Sequence, residues 1–392
     1  MENPHICQMG NPKTICFTVT NSLSYDQRMQ RICSSLARAG YNVILVGRKM
    51  PGSIPLTSQS FSQKRLAVWF QRGKLFYIEY NIRLFFYLLL LKMDAICAID
   101  LDTILPCLCV SKIKGIKRVY DAHELFTELK EVVSRPQIYK FWMWVERICV
   151  PKFKNGYTVN QFIVGELERR YGVKYDTIRN LPVLNNGQGI PGDTIRAGMI
   201  DKYHLPTTKF FLYQGAVNEG RSFETLIPAM QHVSAKLVIA GDGNFMQEVK
   251  RLIAANKVED KVICLGAVPP NELRLITPQA YYGLTLFEST GLNQYYSLAN
   301  RFFDYIQGGI PQLCVGYPEY EAINNRYNIA WLITDLSPAS LSATLNKLLG
   351  DSVLYARLKI NCSVAAKELC WENEQEKLLA FYSSKIFQHV KR

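Results

Sequence analysis

The residues best suited to chemistry fall in three short stretches of the 392-residue chain. In RVYDAHE, the residues Asp121, His123 and Glu124 close a β-branched and aromatic run, and titratable groups packed at a strand end suit acid–base or hydroxyl-binding work. A zincin reading fails there, because H-E-x-x-H would need a histidine at position 127 and Thr127 stands in its place. The second stretch is KFFLYQGAVNEGRSFETLIPAM, a strand leading through Gly215 to Arg221 near the start of a helix. A guanidinium beside unpaired backbone N–H groups suits a diphosphate, although surface arginines also serve plain salt bridges. The third is ESTGLNQYYSLANRFFDYIQGG, where Ser297 is the expected N-cap and Gly308 or Gly309 the expected stop of a helix. On that helix Asn300 and Asp304 are four apart and share a face. A carboxylate so placed can accept both hydroxyls of a ribose, with amides near Ser297, Leu298 and Ala299 facing an anion; an ordinary helix with a solvated aspartate is the plainer reading.

Several other chemistries lose support. Neither TVTNSLSYDQRM nor VGRKMPGS contains the G-x-G-x-x-G of dinucleotide-binding sheets, and GDGNFMQ has Gly241 and Gly243 but Met246 where a third glycine belongs. The P-loop, the G-x-S-x-G elbow and zinc-finger spacings are missing as well. The 11 cysteines sit mostly in apolar segments and their odd number cannot all pair, so reduced, buried thiols are expected. Cys107 and Cys109 form the one close pair, and a lone C-x-C is a weak metal signal.

The elements that must hold these residues read as two ladders of βαβ units. Runs in the first half begin at Ile15, Asn42, Asp94, Arg118, Gly156 and Thr177, and those in the second at Lys209, Lys236, Val262, Tyr281, Pro311 and Asn328. Met29, Ile32, Cys33, Leu36 and Ala37 follow helical spacing up to Gly40, which places a helix after the first strand. The expected fold class is α/β, with two Rossmann-like domains. Asn185 to Pro206 has no clear period and reads as their connection. We therefore expect domains at 1–190 and 191–371, with a C-terminal helix over 372–392 that can pack back on the N-terminal domain.

Composition sets the surroundings. The net charge of +13 is lopsided: residues 1 to 200 carry 27 Lys and Arg against 15 Asp and Glu, the remainder 19 against 18. A basic half suggests an anionic partner such as a lipid surface, a phosphorylated acceptor or nucleic acid. The longest apolar run, Leu84 to Leu91, is far short of the ~20 residues that span a bilayer. The N-terminus does not read as a secretory signal. A cytoplasmic protein is expected, attached at most peripherally to the inner face of the membrane. KLFYIEYNIRLFFYLLLLK is a candidate membrane contact, but its length equally suits a buried helix, which is the favoured reading.

Taken together, the blocks resemble glycosyltransferase family 4, retaining enzymes of the GT-B fold, in its bacterial type. LYQGAVNEGRSFETLIPAM, LVIAGDGNFMQEVKRLI, VICLGAVPPNEL and NRFFDYIQGGIP are similar, in order, to the family's nucleotide-sugar-binding domain. SYDQRMQRICSSLARAGYNVILVGR and YDAHE are similar to its acceptor-binding N-terminal domain. The resemblance implies two domains facing a central cleft and sugar transfer from a UDP-sugar or GDP-sugar to a glycan or lipid-linked hydroxyl, in envelope polysaccharide or glycolipid synthesis. It implies neither a metal nor another cofactor, and no nucleic-acid partner.

By the same resemblance, Arg221 matches the diphosphate-binding lysine, Asp304 the ribose-binding glutamate, and His123 the histidine that approaches the donor sugar. Gly215, Val268, Ser297, Leu298 and Asn300 fall on the donor-binding segments. Two positions depart from the family. Its second phosphate-binding arginine falls on Ala216, and the first glutamate of E-x7-E falls on Tyr296, which leaves Glu288, Asn293 and Asn300 as substitutes for sugar contacts. A nucleotide-sugar epimerase on the same fold, or a basic protein that grips membrane or nucleic acid without catalysis, are the alternatives.

Overall fold

The computed structural model describes residues 11–185 and 192–388, which form two compact units. The first ends at Asn180 and takes up the chain again from Glu374; the second is Leu181–Asn373. The division falls before the expected position 190 because Leu181 already packs into the core of the second unit, with Phe211 and Tyr213.

The first unit holds a parallel sheet of β1 (Thr14–Thr18), β2 (Asn42–Lys49), β3 (Ser62–Ala67), β4 (Ala95–Ile99), β5 (Lys117–Ala122), β6 (Asn155–Thr158) and β7 (Asp176–Thr177), in the order β3-β2-β1-β4-β5-β6-β7. The second holds β8 (Phe210–Gln214), β9 (Lys236–Ala240), β10 (Val262–Gly266), β11 (Tyr282–Thr285), β12 (Gln312–Val315) and β13 (Ala330–Ile333), in the order β10-β9-β8-β11-β12-β13, again parallel. Central strands such as β4 and β8 are buried at every residue, which is why they read as continuous apolar runs. In each sheet the order reverses once, between β1 and β4 and between β8 and β11. The carboxyl ends of those pairs are where doubly wound sheets take ligands.

All the expected runs contain strands. β3 was not expected: it lies at the sheet edge, pairs with β2 alone, and its sequence SQKRLA is polar because one side of it meets water. The segment read as an irregular connection contains a helix, Asp193–Tyr203, whose side chains are mostly exposed and so leave little apolar periodicity; residues 186–191 lie outside the described residues. Helix Gln27–Arg38 buries Met29, Ile32, Cys33 and Leu36, and is capped by Asp26, whose carboxylate accepts from the Met29 N–H.

The C-terminal segment is helical over Trp371–Ala380 and continues as a π-turn over Phe381–Ile386. Within the first unit, Tyr382 lies 6.1 Å from Phe17 and 6.4 Å from Tyr157 between ring centroids. The Ser35 hydroxyl donates to Gln375. Glu374, nearly buried, accepts from the Arg179 N–H at 2.7 Å. Residues 389–392, the end of the expected terminal helix, lie outside the described residues.

Candidate active site

Two clusters occupy the strand reversals. In the first unit, β5 ends in Asp121, which is fully buried and ion-paired with Arg28 of the first helix at 2.9 Å. Arg28 also donates to the Ile178 carbonyl at 3.1 Å. The other carboxylate oxygen of Asp121 lies 3.1 Å from His123 Nε2, and Asp100 Oδ2 lies 3.8 Å from His123 Nδ1. Asp100, just past β4, stands at φ +53°, a region that L side chains seldom adopt. Two hydrogen bonds hold it there: its N–H donates to the Asp121 carbonyl, and its Oδ1 accepts from the His123 N–H.

Burial opposes a charge on His123, yet Asp121 and Asp100 raise it to about 9, so the imidazolium persists at neutral pH. Burial also pushes up Asp121, but Arg28 and His123 win and hold it below its ordinary value. Asp100, facing the same histidine, is lifted by burial to about 8. Asp102 is lifted by burial to about 6, against the hydrogen bond that the Thr20 hydroxyl donates to it. Thr20 follows β1 and Asp102 follows β4, so this bond ties the two strand ends of the reversal together. The arrangement can hold a proton at His123 and present carboxyl groups of different acidity around it. Glu124 adjoins the cluster in sequence and raises Asp100 and Asp102 electrostatically.

In the second unit, β8 runs into Gly215, at φ +112°, and a loop that delivers Arg221 two residues before helix Phe223–Ala229. The Arg221 guanidinium stacks on Phe287, 4.5 Å from the ring centroid, so the loop after β8 meets the loop after β11. The Glu288 N–H donates to the Gly220 carbonyl and adds a second tie. A Cβ on Gly220 would lie 3.5 Å from Gln294 Nε2, which brings the short helix Leu292–Tyr295, with Asn293, over the arginine loop; Tyr296 is its C-cap. Gly241 and Gly243 serve this loop. A Cβ on Gly241 would come within 1.8 Å of the Gly215 carbonyl oxygen, and one on Gly243 within 2.3 Å of that of Val217.

The helix expected to be capped by Ser297 begins two residues later, as Asn300–Gln307, with Ala299 at the N-cap. Ser297 does not cap it. Its hydroxyl lies 3.4 Å from that of Tyr320, and Tyr320 accepts from the Ala299 N–H at 3.0 Å. The Ser297 N–H donates to the Gln294 carbonyl. Two of the three amides expected to face an anion are thus engaged within the protein. Leu298 packs partly buried against the core, as does Val268 beyond β10. Asn300 and Asp304 do share a face, and Asp304 accepts from Gln214 Nε2 at 3.2 Å, which fixes its carboxylate beside the end of β8. Gly308 caps the helix and Gly309 turns away at φ +66°.

The structure therefore gathers Gly215, Arg221, Glu288, Asn293 and the Ser297–Asp304 segment at one strand reversal. His123 belongs to the other. Sequence reasoning missed Arg28, Asp100, Asp102 and Arg301. The aspartates could have been found, since they follow the run that became β4. Arg28 and Arg301 look like exposed helix arginines until packing buries them. Among the described residues the cysteines are free thiols: Cys107 is buried and Cys109 exposed, on different faces of helix Ile104–Lys114, and no group of three ligand-type side chains could hold a metal ion.

Residues 199–363, which include all of the second cluster, match the family model described as glycosyl transferases group 1. The chain is also similar to solved structures. HepE of Anabaena in complex with UDP shares 10% identity at TM-score 0.72, over 95% of this chain and 100% of that one. Sucrose-phosphate synthase of Thermosynechococcus elongatus shares 15% at TM-score 0.76, over 94% and 98%. WaaG, a glycosyltransferase involved in lipopolysaccharide biosynthesis, shares 14% at TM-score 0.69, over 94% and 100%. The fold is GT-B, with two parallel-sheet Rossmann-like domains. Comparison with curated proteins finds no match.

Proposed function

We propose that the protein is a retaining glycosyltransferase of the family 4 type that moves a hexosyl group from a nucleotide diphosphate-sugar to a hydroxyl acceptor. The observation that carries this reading is the second cluster: a guanidinium, a positive-φ glycine and a fixed carboxylate around the carboxyl end of β8, inside the segment that matches the group 1 model. Arg221 meets the diphosphate and Asp304 the ribose hydroxyls. The nucleotide diphosphate is the leaving group, so its charge grows as the glycosidic bond breaks, and donors already aimed at it lower the barrier most. These side chains meet that charge without a metal. His123, held as imidazolium beside the carboxyl groups of Asp121 and Asp100, offers a positive charge and a proton donor at the strand reversal of the first unit.

The test is direct. A panel of UDP-sugars and GDP-sugars is screened for a rise in Tm, since a ligand that prefers the folded state stabilises it. The best donor is then incubated with glycan and lipid-linked acceptors in the presence of a chelator. Acceptor-dependent release of nucleoside diphosphate, with the donor's anomeric configuration kept in the product, is expected. Isomerisation of the donor without release would replace this reading by an epimerase.

A lipid-linked acceptor at an anionic membrane, in envelope glycan synthesis, is favoured by one surface. Helix Gly73–Leu90 buries Phe76, Tyr80, Leu84 and Leu88, while Leu75, Ile78, Ile82, Phe86 and Leu90 form an exposed stripe at helical spacing. The favoured sequence reading, a buried helix, holds for one face only. The other face carries large apolar side chains as well, and they are exposed. No helix among the described residues is long and apolar enough to cross a membrane.

A further inference from the structure

Arg301, at the second position of helix Asn300–Gln307, is a buried cation, with 7% of its surface exposed. Its guanidinium lies 4.3 Å from the ring centroid of Tyr213 and 4.7 Å from that of Phe287. Nη1 donates to the Gln214 carbonyl at 3.1 Å, and Nε is buried without an acceptor. Asp304, three residues on, gives its carboxylate to Gln214 instead, and Arg301 forms no ion pair among the described residues. Aromatic faces offset part of the cost of such a charge, but an anion would offset far more.

The surroundings leave a route for one. Gly215 is exposed and, at φ +112°, stands beside this guanidinium; a Cβ there would lie 3.8 Å from Nη1, so the glycine leaves that edge uncovered. Arg221 stacks on the same Phe287 ring at 4.5 Å, so two guanidinium groups converge on one phenyl ring at the end of β8.

We propose that Arg301 is a diphosphate-binding residue, acting with Arg221 so that two guanidinium groups bracket the two phosphates of the donor. One guanidinium comes from the loop after β8 and the other from the helix after β11. This inference rests on the donor reading above and names the residues that give it a diphosphate rather than a single phosphate to recognise. Arginine suits the task because its planar fork donates to two phosphate oxygens at once.

The test is calorimetric titration of the full chain with inorganic pyrophosphate, orthophosphate, UDP, GDP and the free nucleosides. Pyrophosphate is expected to bind more tightly than orthophosphate. Arg301→Met, which keeps the length and apolar stem, is expected to weaken pyrophosphate and nucleoside diphosphate binding at least tenfold, the scale of losing a charge-assisted hydrogen bond, and to leave nucleoside binding unchanged. Arg301→Lys should fall between. Wild-type affinity for pyrophosphate in a folded Arg301→Met protein overturns the proposal, as does equal affinity of the wild type for pyrophosphate and orthophosphate.

If Arg301→Met fails to fold, the Nε–H resonance of Arg301 in nitrogen-15-labelled wild-type protein decides: it must shift at saturating pyrophosphate, and an unmoved resonance rejects the site. Arg301-dependent pyrophosphate binding in a protein that turns over no nucleotide-sugar keeps the anion site and rejects the donor reading. Sugar transfer undisturbed by Arg301→Met does the reverse.

Discussion

Asp121 is the residue on which the first cluster depends, because it is buried with a guanidinium on one oxygen and an imidazole on the other. Asp121→Asn leaves Arg28 charged and unpaired at 4% side-chain exposure, and should cost about 3 to 5 kcal/mol by denaturant titration. The same change should drop the His123 pKa from about 9 toward its ordinary value, read from the imidazole NMR signals. The sign of the pH effect follows from the upward shift. The His123–Asp121 pair contributes its full stability below about 6.5, where both folded and unfolded histidine are protonated, and loses it as pH rises through about 9. In the second cluster, Arg221→Ala should lower turnover by roughly 100-fold or more, the scale for losing one donor to a growing negative charge. Asp304→Asn should instead weaken UDP or GDP binding, since an amide keeps one acceptor and loses the charge. Unchanged affinity in a folded variant would leave Asp304 with a structural role in place of a ligand-binding one.

The loops after β8 and β9 touch backbone to backbone, and this contact explains the GDG sequence better than any cofactor does. Gly241→Ala would drive a methyl group into the Gly215 carbonyl, at 1.8 Å, where no flexible side chain can yield. We expect a fall in Tm and a loss of nucleotide affinity together, because Gly215 and Arg221 ride on the displaced loop. A variant with unchanged Tm and affinity would show that the loops separate freely. Elements differed in how legible they were. Strands buried on both faces announce themselves as apolar runs, whereas β3 does not, since an edge strand with one wet side needs no apolar run. The start of helix Asn300–Gln307 was misplaced for a related reason. Ser297 satisfies every local rule for an N-cap, but the Tyr320 hydroxyl, from another helix, takes the Ala299 N–H.

At the scale of the molecule, the excess of positive charge over residues 1 to 200 and the exposed stripe on helix Gly73–Leu90 fall in the same unit. If they act together on a membrane, the full chain should sediment with anionic vesicles and not with neutral ones. Binding should weaken with salt, as the Debye length shrinks from about 10 Å at 0.1 M to about 3 Å at 1 M. Replacing Ile82 and Phe86, 53% and 59% exposed, by Glu should abolish sedimentation with Tm unchanged. Equal partition onto both vesicle types, or none at low salt, would leave a soluble acceptor as the simpler account.

The sequence by itself determined the order of the βα units apart from edge strand β3, the strand ends beside which His123 and Arg221 stand, and the helical face that carries Asp304. Those follow from local periodicity and from the rule that parallel strands need crossover helices. What only the tertiary structure decided is the electrostatic state of those places. Arg28 and Arg301 are ordinary helix arginines in the sequence, and become buried cations because residues more than 80 positions away, Asp121 and Gln214, close around them. The place of the helical segment Trp371–Ile386 was decided in the same way, by the packing of Tyr382 on Phe17 and Tyr157. A charge costs little while water surrounds it, so its role is written only when long-range packing removes the water.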